Sequence, residues 1–462
     1  MKFTLENANN FISNNKESVN KKHRHKLHLM PEVGWMNDPN GLIFYKGEYH
    51  AFYQYYPYEP LWGPMHWGHA KSKDLYNWEH LPVALAPDLP HEHGCFSGGS
   101  VVVDDELYLL YTSHFDNGKQ LQEQSLAISK DGVNFEKHLN KPILTIEDLP
   151  EDSSKVDFRD PNPIEIDGEK FILIGSKNNK DEGQFLVYKT DDFMNYEYLS
   201  KIGPNKMFGV MAECPDLFEL DGKHVLLFSG TSLKRDGNRF RNVNSSLYAI
   251  GHFDTKTGNY EIEHMDEIDL GHHFYAPQTI LNDKDERIMI SWMNMWEKPY
   301  YTADIKHNWT GALSFPRKLS VVNNRLIQSP YNVSDVFKTE LNYEDNLTLD
   351  KTFRLKAKVN TSSPTNFKFG SSNDFFEINV LEDKLELDTS KTKLYPMEKR
   401  YVELNGLNNV ELEVFMDVSS VEIFIKGLDK TLTTLVYFDE ETIKLNIEEG
   451  KENVELIKVW ER

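Results

Sequence analysis

Short apolar runs broken by polar turns recur along most of this chain. Tyr49–Gln54, Val101–Val103, Leu107–Tyr111, Phe171–Gly175, Phe185–Tyr188, His224–Ser229 and Arg287–Trp292 are rich in aliphatic and aromatic residues, the signature of β-strands. The turns repeat as well. SKDLYNWE from Ser72, SKDGVNFE from Ser129 and TDDFMNYE from Thr190 share a polar turn, then Asn, an aromatic residue and Glu, and TKTGNYE from Thr255 is a weaker copy. Their asparagines, Asn77, Asn134, Asn195 and Asn259, are spaced 57, 61 and 64 residues apart. A second series interleaves with the first: NDPNGLIF from Asn37, FSGGSVVV from Phe96, RDPNPIEI from Arg159, ECPDLFEL from Glu213 and YAPQTIL from Tyr275. With Asp38, Ser97, Asp160, Glu213 and Tyr275 as markers, its spacings are 59, 63, 53 and 62.

Two series with one period predict an all-β fold containing a five-bladed β-propeller, one four-stranded sheet per blade. A large β-sandwich with similar turns is the alternative. In a propeller the second series would face one central axis. The repeat stops after Pro316-Arg317-Lys318. Beyond it Phe353–Val359, Phe376–Val380, Val410–Val414 and Ser419–Ile425 alternate apolar and polar residues, which predicts a β-sandwich. The domain reading is a polar N-terminal extension over 1–27 (a helix or a tether), a catalytic propeller over 28–328 and a sandwich over 335–462. The join falls near Gln328–Asp335.

A length of 462 residues suits two cores, and 39% hydrophobic with 12% aromatic residues excludes a disordered chain. A net charge of −22 argues against nucleic acid or an anionic membrane as partner. The N-terminus lacks an apolar signal region, so a cytoplasmic location is expected. Cys95 and Cys214 make no disulfide framework.

Asp38, Asp160 and Glu213 are the carboxylates of the second series. Glycoside hydrolysis uses two facing carboxylates, one ionised and the other holding a proton. Asp before Pro also caps turns, a competing account of Asp38 and Asp160; Glu213, opening an apolar run, fits it less well. Trp35, Trp62, Phe96, Tyr275 and Trp292 offer flat walls for a sugar, and Asn37, Gln54, Ser97 and Arg159 offer hydrogen bonds to hydroxyls. Any one of these aromatics is equally a core residue. Cys214, beside Glu213 on a strand, is expected to face away from it and to be a small buried residue. His66-x-x-His69 and His91-x-His93 lack a third ligand of known placement, so no metal and no cofactor is expected. The basic stretch Lys21–His28 reads as a solvated face.

WMNDPNG at Trp35–Gly41, followed in order by FYQYYP, WGPMHWGHAKSKDLYNW, GCFSGGS, DFRDP, ECPDLF and FYAPQ, resembles glycoside hydrolase family 32, and FMDVSSVEIF at Phe415–Phe424 is similar to the signature of its C-terminal sandwich. The family contains invertases, fructanases and bacterial sucrose-6-phosphate hydrolases. The resemblance, from about residue 28 onward, implies a five-bladed propeller plus a sandwich. It implies Asp38 as nucleophile, Glu213 as general acid/base and Asp160 as the carboxylate holding fructose hydroxyls. Asn37, Gln54, Trp62, Phe96, Ser97, Arg159, Tyr275 and Trp292 would line the fructose pocket. The reaction implied is retaining hydrolysis of a terminal fructosyl bond, in sucrose, sucrose 6-phosphate or short fructo-oligosaccharides, with the two carboxyl groups roughly 5–5.5 Å apart.

Two departures stand out. Gly271-His272-His273 replaces a segment that usually carries an acidic residue, a change expected to alter a contact behind the site, and GCFSGGS has two glycines between its serines where one is commoner. Rival readings are a sugar-binding propeller without catalysis and an inverting propeller glycosidase with carboxyl groups roughly 6.5–9.5 Å apart. Fructosyl transfer to a sugar is a third, within the same family. A phosphorylated sugar would want Lys, Arg or His at an outer subsite, where the sequence places none. The sandwich could pair copies into a homo-oligomer.

Overall fold

The computed structural model describes residues 2–462, and among them seven β-sheets form. The all-β expectation holds. Five sheets follow one another along the chain, opening on inner strands Gly34–Tyr45, Gly94–Val103, Ser153–Ile166, Ala212–Leu220 and Tyr275–Leu281. Each inner strand contacts the next, and the fifth contacts the first, so the five form a ring. The short strand Trp309–Thr310 returns to pair in parallel with Gly34–Trp35. It gives the first sheet a fifth strand; the other four have four each.

The asparagine series is explained by one turn. Asp74 Oδ1 accepts the backbone N–H of Tyr76 and Asn77 at 2.9 and 2.7 Å, while Asn77 Nδ2 donates to Asp74 Oδ2 at 2.7 Å. Asp131 with Asn134, and Asp192 with Asn195, repeat this arrangement within 2.9 Å. A side chain closing its own backbone turn is local chemistry, hence visible in sequence. In the weaker copy Asp254 Oδ1 still caps Lys256 N at 2.8 Å, but Asn259 N turns to Thr257 Oγ1 instead, at 3.3 Å.

The second series has a backbone cause too. Every inner strand slips register at its motif: between Met36 and Pro39, Phe96 and Gly98, Arg159 and Asn162, Glu213 and Asp216, and Tyr275 and Gln278. Such bulges bend a strand and re-aim its side chains. Three bulge residues hold positive φ: Asp160 at 64°, Cys214 at 49° and Ala276 at 50°. The paired glycines serve close approach. A Cβ on Gly98 would stand 1.9 Å from Leu110 O, and one on Gly99 2.6 Å from Pro163 Cδ.

Two six-stranded sheets follow, opening at Thr339–Leu341 and Leu347–Asp350. Thr352–Asn360 buries alternate residues, and Phe353, Leu355, Ala357 and Val359 meet Phe367, Phe369, Phe376 and Ile378 in the core between the sheets. The join is packed rather than loose: Gln328 lies within the strand Arg325–Pro330, and Tyr331, Val333 and Phe337 are buried.

The N-terminal stretch does more than tether. Leu5–Asn15 is a helix whose Ala8 and Ile12 are buried against the first sheet, and Thr4 Oγ1 accepts Asn7 N at 3.2 Å as its cap. The expectation for Lys21–His28 holds for Lys21, Lys22 and Lys26, which are exposed, and is corrected for His23, Leu27 and His28, which are buried. Asp417 of the sandwich draws the strap in, accepting Lys26 N, Leu27 N and His28 Nδ1 at 2.7–2.9 Å. The Gly271-His272-His273 departure is also an interface feature. Its backbone amides donate to Thr433 O at 2.9 and 3.1 Å from His272 and His273, and Gly271 leaves no room for a Cβ, which would meet Thr433 O at 2.1 Å. No helix among the described residues is long and apolar enough to cross a membrane.

Candidate active site

At one end of the ring the bulges converge on a cavity of about 400 Å³. Asp38, Asp160 and Glu213 line it together, although they come from three different sheets. Asp38 is buried; its Oδ2 accepts Ser97 Oγ at 2.9 Å, and its Oδ1 has no hydrogen-bond partner. Burial, then the charge of Asp160, pushes its pKa up to about 7, with Asn37 and Ser97 pulling the other way. Asp160 is held through its backbone, its N–H donating to Thr112 Oγ1 at 2.9 Å, and Asp160 Oδ2 accepts Cys214 N at 2.9 Å. Burial raises this carboxyl too, and Arg159 opposes the shift.

Glu213 faces two donors. Arg159 reaches its Oε1 through Nη2 at 2.5 Å and Nε at 3.2 Å, and the Tyr275 hydroxyl donates to Oε2. Arg159 is itself fixed by Asp157 Oδ1 at 2.9 Å and Gln122 Oε1 at 3.2 Å. Burial works against its charge, but Glu213, Asp160 and Asp157 outweigh burial and hold it above its ordinary value.

Six of the expected pocket residues line the cavity: Asn37, Gln54, Trp62, Phe96, Ser97 and Arg159. Trp62 is 51% exposed at the rim and meets Phe96 edge-on at 6.1 Å, while Phe96 stacks on His114 at 4.2 Å. Gln54 Nε2 donates to Cys95 O at 2.9 Å. The other three stand behind the wall. Trp35 and Trp292 are fully buried and pack against Trp296, which does face the cavity, and Trp35 Nε1 fixes Asn37 Oδ1 at 2.7 Å. Tyr275 is buried and reaches the site only through its hydroxyl.

The expectation for Cys214 is half right. It is buried, yet its thiol turns toward the carboxylates, 3.5 Å from Asp160 Oδ2 and 3.8 Å from Asp38 Oδ2. Strand alternation fails here because Cys214 sits on a bulge. His66 and His69 find separate partners, Pro64 O at 2.8 Å and His50 Nδ1 at 3.0 Å.

Sequence reasoning missed His114, Gln120, Gln122, Asp157, Asn244 and Trp296, all of which line the cavity. Asp157 was within reach of it, inside the quoted DFRDP string; the others lie outside the axial motifs and carry no local signal.

Carboxylates converging in a half-open cavity walled by aromatics are the equipment of a glycoside hydrolase, and that is the class of this enzyme. Known proteins agree. The description "Glycosyl hydrolases family 32 N-terminal domain" matches residues 28–330 and "Glycosyl hydrolases family 32 C terminal" matches 325–461. The chain belongs to glycosyl hydrolases family 32. It is 35% identical over 444 residues to a raffinose invertase of Escherichia coli, covering 91% of each chain. A sucrose-6-phosphate hydrolase of Zymomonas mobilis is 32% identical over 458 residues, covering 90% of this chain and 88% of that one. Among solved structures, a GH32 β-fructofuranosidase of Bombyx mori superposes with a TM-score of 0.89 at 32% identity, over 99% of this chain and 97% of that one.

Proposed function

We propose that this enzyme is a retaining β-fructofuranosidase, releasing the terminal fructosyl unit of sucrose, sucrose 6-phosphate or short fructo-oligosaccharides. The observation that carries the reading is the convergence of Asp38, Asp160 and Glu213 on one cavity, with Glu213 gripped by Arg159 and Tyr275. The five sheets of residues 28–328 act as the blades of a propeller, and residues 335–462 form the sandwich that backs it.

In this reading the ionised Asp38 attacks the anomeric carbon of fructose. The bond to the leaving sugar breaks as Glu213 gives its proton to the departing oxygen, leaving a covalent fructosyl-enzyme. Glu213, now a carboxylate, takes a proton from water. The oxygen of that water attacks the anomeric carbon and Asp38 is released. Asp160 holds fructose hydroxyls, fixed for the task by Cys214 N and Thr112. Asn37, Gln54, Ser97 and Arg159 bind the fructosyl ring, Trp62 and Phe96 wall it, and Trp35 and Trp292 hold that wall from behind.

Asp38→Asn should abolish fructose release from sucrose without loss of fold, and full activity would sink its role as nucleophile. Glu213→Gln should slow sucrose hydrolysis by roughly 10²–10⁴-fold and slow an activated aryl fructoside far less. Equal loss on both substrates would remove Glu213 as the acid. Retention is read by NMR: the first-formed product should be β-fructofuranose, and the opposite anomer would exclude the covalent intermediate.

A further inference from the structure

Arg159 serves two carboxylates at once. Its Nη2 lies 2.5 Å from Glu213 Oε1, and its Nη1 lies 2.9 Å from Asp157 Oδ1. Asp157 meets a second cation: Lys177 Nζ stands 3.0 Å from its Oδ2, and Lys177 also reaches Asp181 Oδ1 at 2.9 Å. The result is a row of alternating charge, Glu213, Arg159, Asp157, Lys177 and Asp181, running outward from the cavity. The side chains of Arg159, Asp157 and Lys177 are 16%, 19% and 22% exposed, against 70% for Asp181 at the outer end. Water screens the inner members only in part, so each feels the charge of the next.

A second bulge in the third inner strand builds the row. Phe158 pairs with Ser176 and Ser153 with Asn178, so residues 154–157 stand opposite Lys177 alone. The bulge aims Asp157 both at Lys177 and at Arg159, and Ser154 Oγ pins it by accepting Asp157 N at 3.3 Å. A general acid must hold its proton at working pH, and a neighbouring cation favours losing it. Asp157 draws part of the charge of Arg159 away from Glu213. Lys177 acts one step removed, because by neutralising Asp157 it returns charge to Arg159. Burial works against the charge of Asp157, but Arg159 and then Lys177 outweigh it and hold the carboxyl below its ordinary value. The other titratable groups facing the row are Asp38, Asp160, Cys214 and Tyr275 beside Glu213, and His114 toward Arg159. Substituting Asp157 or Lys177 leaves all of them in place.

We propose that Asp157 and Lys177 are positioning residues for the acid/base chemistry: Asp157 shares the charge of Arg159 with Glu213, and Lys177 sets how much of it Asp157 takes. This rests on Glu213 as the general acid/base of a β-fructofuranosidase and deepens that reading.

The experiment records kcat/KM for fructose release from sucrose against pH in the wild type, Asp157→Asn, Asp157→Glu and Lys177→Gln. The Asn side chain keeps an oxygen for Arg159 and removes only the charge. The alkaline limb, where the proton on Glu213 is lost, should move to lower pH in Asp157→Asn. The shift should be roughly 0.5–1.5 pH units, the scale of one charge across a partly buried ion pair. In Lys177→Gln the limb should move the other way, to higher pH, and by less. Asp157→Glu, which restores a carboxylate, should bring it most of the way back. The acidic limb belongs to Asp38 and should move far less in every variant. A merely structural pair would lower activity at all pH values with the alkaline limb in place, and that result would overturn the proposal. Limbs that shift in the same direction in Asp157→Asn and Lys177→Gln would overturn it too. Lys177 is not among the residues lining the cavity, so Lys177→Gln carries the test even if Asp157→Asn fails to fold; an unmoved limb there is fatal to the proposal. No fructose from sucrose or any other β-fructoside in the wild type would instead defeat the β-fructofuranosidase reading.

Discussion

The environment of Asp38 is costly to the fold. Its carboxyl titrates near 7 in the folded chain, against an ordinary aspartate value of 3.8. Because the folded value lies above the unfolded one, the cost is absent at pH 3, grows as pH rises from about 4, and is complete above about 7. Asp38→Asn removes it. The variant should be more stable than the wild type at pH 8, by on the order of 1–3 kcal/mol, and no more stable at pH 4; equal melting shifts at the two pH values would contradict this origin. The same value governs catalysis, since attack needs the ionised form: kcat/KM should fall as pH drops through about 7. Ser97→Ala deletes a hydrogen bond that favours the ionised form, so it should move that acidic limb upward, and a limb that stays or moves down would show that Ser97 does not tune Asp38. At this scale the sequence was informative about the three carboxylates, because their types and spacing repeat. It misjudged Cys214, because the rule that neighbours on a strand face opposite ways does not hold across a bulge. It also took Trp35 and Trp292 for pocket walls. Composition tells an aromatic side chain from a polar one but not which layer of a stacked indole cluster meets the cavity.

Elements built from local chemistry were legible, and those built from distant contacts were not. The Asp-x-x-Asn turn closes on its own backbone, which is why three copies could be read at a common period. Asp192→Ala would free the N–H groups of Met194 and Asn195 and the Asn195 amide. It should cost about 1–2 kcal/mol of stability and leave kcat/KM unchanged, since the turn joins the third and fourth strands of its sheet, far from the inner strand that carries Asp160. A loss of activity at full folding would show that the turns are coupled to the axis. The inner strands were legible for the opposite reason: each must bend at the same point of the ring, so Pro, Gly and positive-φ positions recur in register. The N-terminal helix and the strap behind it carry no such mark. Their apolar residues are few, and what fixes the strap is a carboxylate 389 residues away, Asp417 against His28.

That long-range contact belongs to the network that makes one body of the whole chain. His28 lies between two sandwich carboxylates, Asp417 Oδ2 at 2.7 Å from Nδ1 and Glu422 Oε1 at 3.1 Å from Nε2. Glu422 also pairs with Arg317 of the fifth sheet at 2.7 Å, and Arg317 reaches Asp269 of the segment after the fourth sheet at 3.3 Å. Burial alone would keep His28 neutral, but Asp417 and Glu422 outweigh it and raise the ring to about 9. Burial likewise opposes ionisation of Asp417, and His28 with its charge carries that carboxyl down to about 2. A raised histidine contributes stability in full below its unfolded value of 6.5 and loses it as pH rises toward 9; a lowered carboxylate contributes above 3.8 and loses it as pH falls toward 2. The clasp between strap, ring and sandwich is therefore strongest between about pH 4 and 6.5 and weakens on the alkaline side. His28→Gln keeps a hydrogen-bonding side chain but removes the titration. The wild type should lose stability from pH 6.5 to 9 more steeply than His28→Gln, and the gap between them should narrow over that range. Parallel melting curves across it would mean that His28 is neutral in the folded protein and that Arg317 alone meets the charge of Glu422.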